Sequence, residues 1–363
     1  MQIGIRQIKL ERKHILKFII PILSWILLLF GELDNNLFFQ LCGGLFLILS
    51  VIAAVLHSET IAHRLGEPFG TIILAVAITT IEVSLIVSLM LSGDASTVYL
   101  ARDTVFSAVM IILNGIIGLS LFIGGWKYYE QNFSKYSSTI ALVSLVSIIV
   151  LSLVFPSYTT SAPGPFYNLA QLIFVAIACM VIYSFFLFAQ TRWYKQYFIV
   201  AQEIHEERNV VNIQSFITAF ISLFLCLVAV VLLAKKLSPC IESLVVNSNL
   251  PRAMVGVIIA FIILLPEGTA AVMAAVKNNL QTSLNLALGS ALASIGLTIP
   301  SVALVCAYTG MNIALGLDPK SIILLSLSVF IVFMSLISGK SNIVYGVVLL
   351  VNFLAYIFLI IHP

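Results

Sequence analysis

Eleven long apolar runs decide what this chain can fold into. They lie near 15–31, 37–56, 69–91, 104–125, 138–155, 166–190, 213–234, 252–276, 281–307, 320–338 and 342–361. A bilayer core about 30 Å thick needs roughly 17–25 apolar residues per helix, so each run reads as one membrane span. Only 9% of the 363 residues are charged, against about 25% in soluble domains, too few to clothe a water-facing surface. The chain is therefore expected to be an all-α integral membrane protein of about eleven transmembrane helices.

The basic residues orient it. With the N-terminus inside, the inner connections hold Arg6, Lys9, Arg12, Lys13, Lys17, Arg64, Lys127, Lys135, Arg192, Lys195, Arg208, Lys277 and Lys340. The outer connections hold only Arg102, Lys235, Lys236, Arg252 and Lys320. This is the bias of the positive-inside rule and puts the C-terminus outside. The basic N-terminus precedes an apolar run ending "LLLFGELDNN", which lacks a small-x-small cleavage pattern and reads as an uncleaved first span.

Several features carry less. Cys42, Cys179, Cys226 and Cys306 lie in apolar runs and Cys240 in a connection, with no metal-like spacing and no disulfide framework. His57 and His63 flank what reads as a short polar loop. Asp103 in "RDT" and Asp318 in "DPK" read as helix N-caps. Glu203, Glu206 and Glu207 beside His205 read as a solvated cytoplasmic helix, with cation sensing as the sharper alternative.

Two carboxylates break the pattern. Glu82 in "AVAITTIEVSLIVSLML" and Glu267 in "VGVIIAFIILLPEGTAAVMAAV" stand near the middle of their spans, with no basic residue at those depths. A charge at the centre of a span costs about 2.5–3.5 kcal/mol on insertion scales. Without a basic partner, protons or a cation are left to neutralise them. Glu82 falls on the third span and Glu267 on the eighth, which run in opposite directions. Residues 1–35 then form the basic segment and first span. Residues 36–191 form a first five-helix repeat, 192–212 a cytoplasmic linker and 213–363 a second, inverted repeat. Each repeat carries its glutamate on its second helix, an arrangement that recurs where a site lies at the membrane midplane.

Polar side chains gather nearby in the sequence. Thr79, Thr80 and Ser84 flank Glu82, and Thr269 follows Glu267. Asn114 stands on the next span of the first half; Ser290, Ser294 and Thr298 recur every four residues on the matching span of the second. Oxygen donors without thiolates suit hard cations such as Ca²⁺ or Na⁺, and small hydroxyl residues also serve simple helix packing. Pro266 and Gly268 predict a kink beside Glu267.

The stretches "GEPFGTIILAVAITTIEVSLIVSLMLSG", "ARDTVFSAVMIILNG" and "LLPEGTAAVMAAVKNNLQTSLNLALGSALASIGLTIPSVAL" resemble the calcium/proton antiporter group of the cation/calcium exchanger superfamily, nearest its bacterial sodium–calcium/proton antiporter branch. The resemblance implies one extra helix before two inverted five-helix repeats. It implies that Glu82 and Glu267 bind the metal cation and protons in turn, with Asn114 and Ser290 on the facing helices. Much of that superfamily carries a Gly-Asn pair a turn before each glutamate. Here those positions read Thr79-Thr80-Ile81 and Leu264-Leu265-Pro266, so that amide ligand is absent. The expected function is secondary antiport of Ca²⁺, with Na⁺ or K⁺ as further cargo, against protons. A channel or uniporter using the same carboxylates is the alternative. The partners expected are the cation, protons and the lipid bilayer of a bacterial inner membrane, with no nucleic acid and no cofactor. No nucleophile–base or metal constellation at membrane depth suggests an enzyme.

Overall fold

Each apolar run contains a helix. The computed structural model describes residues 18–30, 37–65, 69–90, 98–198, 213–248, 250–251 and 253–362. Among them the helices are α1 (Phe18–Phe30), α2 (Leu37–Leu65), α3 (Phe69–Met90), α4 (Leu100–Tyr128), α5 (Lys135–Ser157), α6 (Leu169–Trp193), α7 (Ile213–Asn247), α8 (Ala253–Val276), α9 (Leu280–Thr309), α10 (Pro319–Leu336) and α11 (Ile343–Ile361). Seven of the described helices, α4–α7 and α9–α11, are long and apolar enough to cross a membrane, and the bent α8 makes an eighth. The acidic segment around Glu203, Glu206 and Glu207 and the basic residues 6–17 lie outside the described residues.

Several helix ends follow local chemistry. Asn168 and Gln171 form a reciprocal capping box at the start of α6. Asp318 caps α10 as expected, accepting from the Ser321 amide, with Pro319 at the first helical position. Gly310 closes α9 at φ 72°, the left-handed conformation that glycine adopts without strain.

Three sequence expectations shift. α2 continues through the polar stretch to Leu65, so His57 and His63 lie on a helix, and His57 is buried with its ring edge-on to Phe18 at 5.2 Å. α7 continues through Pro239, so Cys240 is helical, and its thiol donates to Gln40 at 3.2 Å. Asp103 is no N-cap: α4 begins earlier, and Asp103 sits in its first turn, ion-paired to Arg102 at 2.7 Å. In the first two cases apolar periodicity underestimates a helix whose last turns are polar, and in the third a helix whose first turn is.

The chain divides into two compact units, each built from both halves of the sequence. The first holds α1, α2, α3 up to Ile81, and α7. There α2 packs on α7 around Ala53, Ala54, Ala219 and Cys226, small side chains that let the backbones approach. Ser24 and Ser50 share a buried hydrogen bond of 2.7 Å. Lys236 donates to the Leu28 carbonyl at 3.1 Å, satisfying one of the free carbonyls at the end of α1.

The second unit begins at Glu82 and holds the rest. α9 is buried along most of its length and packs against α4, α5, α6 and α8. α4 and α11 run antiparallel in close contact. A side chain added at Gly118 would meet Leu349 Cβ at 3.0 Å, and one added at Gly346 would meet the Phe122 Cα at 2.7 Å. α8 lies parallel to α4, with Gly256 against Asp103 and Gly268 against Ile116. Leu265 and Glu267 flank a 52° bend in α8, placed where Pro266 has no amide hydrogen to donate.

These contacts make a stability prediction. Gly346→Val should destabilise the protein by about 1–3 kcal/mol through overpacking, seen as a lowered Tm in detergent. Gly44→Ala on α2 has nothing within 4 Å of the added methyl and should leave Tm unchanged or slightly raised.

Candidate ion-binding site

Burial takes the two glutamates out of bulk solvent, so their partners come from neighbouring helices. Glu82 is 3% exposed and Glu267 4%. α9 supplies both partners. Ser294 places its hydroxyl 2.6 and 2.7 Å from the two Glu82 oxygens, and Ser290 donates to Glu267 Oε2. The two serines are four residues apart on one helix, about 6 Å along its axis. One face of α9 thus ties down a carboxylate from α3 and another from α8.

The period of four continues to Thr298, which is fully buried and whose hydroxyl has no hydrogen-bond partner among the described residues. That leaves one oxygen on the same face unspent. The ion pairs among the described residues are Arg102–Asp103 and Lys340–Glu130, and neither involves these glutamates. A buried carboxylate without a basic partner is neutralised by a proton or by a bound cation. The donor set is oxygen only, as a hard cation prefers.

The other polar residues singled out from the sequence divide. Thr79 is buried and Ser84 half-buried. Thr80 is exposed and donates back to the Val76 carbonyl at 2.7 Å; Thr269 is also exposed. Asn114 is buried, yet its side chain is taken up by α10 and α11. Its Nδ2 donates to Ser328 Oγ at 2.9 Å, and its Oδ1 accepts from Asn352 at 2.9 Å. Asn114 lies in a π-helical turn, Ile111–Ile116, and its amide also reaches the Met110 carbonyl at 3.3 Å. Such turns inside α-helices often mark functional positions.

Sequence reading missed Tyr183. This buried residue of α6 packs where Gly296 of α9 allows close approach, a Cβ there falling 2.8 Å from Tyr183 Cβ. The glycine two residues beyond Ser294 was the available signal.

Residues 36–192 and 218–362 match the family model described as sodium/calcium exchanger protein. A putative ionic transporter, y4hA, of Sinorhizobium fredii is 41% identical over 94% of this chain and 96% of its own length. The sodium-potassium/proton antiporter ChaA of Escherichia coli is 31% identical over 93% of this chain and 94% of its own. Among solved structures, native YfkE matches with a TM-score of 0.73 at 18% identity, covering 96% of this chain and all of that one. The H⁺/Ca²⁺ exchanger CAX matches with a TM-score of 0.72 at 13% identity, covering 96% of this chain and 88% of that one. These structural likenesses carry the fold. The family match over both halves and the two relatives carry the family: the chain is a multi-pass membrane protein of the sodium/calcium exchanger protein family.

Proposed function

We propose that the chain is a secondary antiporter that exchanges Ca²⁺, and also Na⁺ or K⁺, for protons. In this reading Glu82 and Glu267 hold the cation and the protons in turn. The observation that carries it is a pair of buried carboxylates with no basic partner among the described residues, each bonded to a serine on the same face of α9.

The chemistry is an exclusion. A divalent cation between the two carboxylates balances their charge and displaces up to two protons; without it, protons balance the same charge. Either filled state is neutral, and the empty, doubly charged state is costly at membrane depth. The carrier therefore crosses loaded, which couples the fluxes without a mechanical link. The serine hydroxyls turn with the load, since an O–H can donate to a carboxylate or offer its lone pairs to a cation.

Alternating access around a midplane site, between two inverted repeats, is the movement we infer. Supporting it, α2 and α7, the first helices of the two repeats, pack on each other within one compact unit, as elements related by a pseudo-two-fold would. The membrane is proposed to be the bacterial cell membrane, with the N-terminus inside. The names of related proteins agree with cation/proton exchange: one relative is a sodium-potassium/proton antiporter, and one structural neighbour a Ca²⁺/H⁺ antiporter. Antiport, the family's activity, is favoured over the channel reading, and the family is one of transporters, not enzymes.

Proteoliposome assays test this. Glu82→Gln and Glu267→Gln should each lower proton-coupled cation flux about tenfold or more, a tenfold change being about 1.4 kcal/mol. Ser294→Ala should raise the cation KM while sparing maximal flux, because a hydrogen bond to a charged group contributes about 1.5–3 kcal/mol. Full flux in either glutamine variant would refute the assignment.

Competition also fixes the sign of the pH dependence. Protons and the cation claim the same oxygens, so acidifying the cation-loading side should raise the cation KM and leave the maximal rate unchanged. A KM independent of pH would mean that the two ions bind apart.

A further inference from the structure

Away from the two glutamates, a second run of buried polar groups connects the surface to the same depth. It starts at a cavity of about 210 Å³ at the beginnings of α4 and α10 and the end of α11, lined by Arg102, Asp103, Ser107, Asp318, Lys320 and Tyr356 among others. That volume accommodates several waters. By the basic-residue bias this mouth is on the outer side. At its floor the Tyr356 hydroxyl donates to Ser107 Oγ at 2.9 Å.

One helical turn deeper, Asn352 of α11 donates to Asn114 Oδ1 at 2.9 Å and to Ser328 Oγ at 2.8 Å, and Ser328 lies within 3.6 Å of the Met110 sulfur. On α4 these residues are 103, 107, 110 and 114, one stripe along a single face. The pairings Ser107–Tyr356 and Asn114–Asn352 follow the antiparallel register of the two helices.

The depth of the stripe is fixed by α8. A Cβ added at Gly256 would meet the Asp103 backbone, and one added at Gly268 the Ile116 side chain, at 3.2 Å in each case. The run therefore begins level with the start of α8 and, with Asn114 two residues before Ile116, ends level with Pro266 and Glu267. Hydroxyls, amides and sulfur fill a zone otherwise packed with Ile, Leu and Val, and burying them needs a reason beyond packing.

We propose that this file is a path by which protons and water reach Glu267 from the α4–α10–α11 side, one the cation does not use. A cation entering it meets no anionic ligand below Asp103, which is already paired to Arg102; a bare cation among amides and hydroxyls would be poorly repaid for its lost water. A proton needs no such ligand. It passes along hydroxyls and waters, each oxygen taking up one proton and releasing another. Among the described residues, the titratable and charged groups facing the mouth are Arg102 and Asp103 from α4, Asp318 and Lys320 from α10, and Tyr356 from α11; α8 lines it with Ala253 alone.

This rests on the antiport reading, and the test separates the two. Wild type and Tyr356→Phe are compared in proteoliposomes with Ca²⁺, Na⁺ and K⁺, in two modes: cation against protons, and cation against the same cation at equal pH. The phenylalanine keeps the ring and its edge-on contact with Phe106 at 5.5 Å. The file predicts that proton-coupled exchange falls about 100-fold while cation self-exchange stays within about twofold, at the lower end of what positioned proton transfer contributes. Ser107→Ala should behave alike and Ser107→Thr should restore the rate, so a poorly folding Tyr356→Phe leaves the test in place. Equal loss in both modes, or no loss in either, overturns the file and spares the antiport reading. A wild type that moves no cation against protons overturns both.

Discussion

Everything in this protein answers to the cost of a carboxylate out of water. Glu82 and Glu267 lie within apolar spans, and neither has a basic residue to neutralise it among the described residues. On the proposed reading, a lysine or arginine beside them would end the exchange, because a permanent counter-charge leaves nothing for a transported ion to do. A site left short of positive charge by design is one that an ion or a proton must complete.

α9 makes that shortage tolerable. Its face of Ser290, Ser294 and Thr298 gives each carboxylate a donor and keeps one hydroxyl in reserve. Around it the fold is arranged for stiffness: Gly118 and Gly346 bring α4 and α11 into backbone contact, and α8 is bent at Pro266 beside its glutamate. At the other end of α8, Lys127 and Tyr128 donate to the Val276 carbonyl and Gln131 to that of Ala275. The short segment bearing Glu267 is therefore a fixed piece held between a bend and an anchored end.

Much of this was legible in the sequence. Helix number followed from run length, because bilayer thickness sets one scale for all of them. The glutamates stood out since a charge in an apolar run has no bland explanation, and the period of four on α9 marked the face that meets them. Pairings across helices were not legible. Asn114 was expected to face the carboxylates and is instead bonded to Ser328 and Asn352, lone polar residues in apolar runs whose partners no local pattern names. Tyr183 looked like any aromatic core residue. The polar ends of α2 and α7 read as loops because apolar periodicity stops before the helical hydrogen bonds do.

The central claim is that cation and protons occupy the same oxygens, and counting protons on binding tests it most directly. Purified protein in weakly buffered detergent would be titrated with Ca²⁺ while proton release and bound calcium are measured together. The account predicts up to two protons released per Ca²⁺ by the wild type, and fewer, with weaker binding, by Glu267→Gln. Calcium bound at full stoichiometry with no proton released would contradict it.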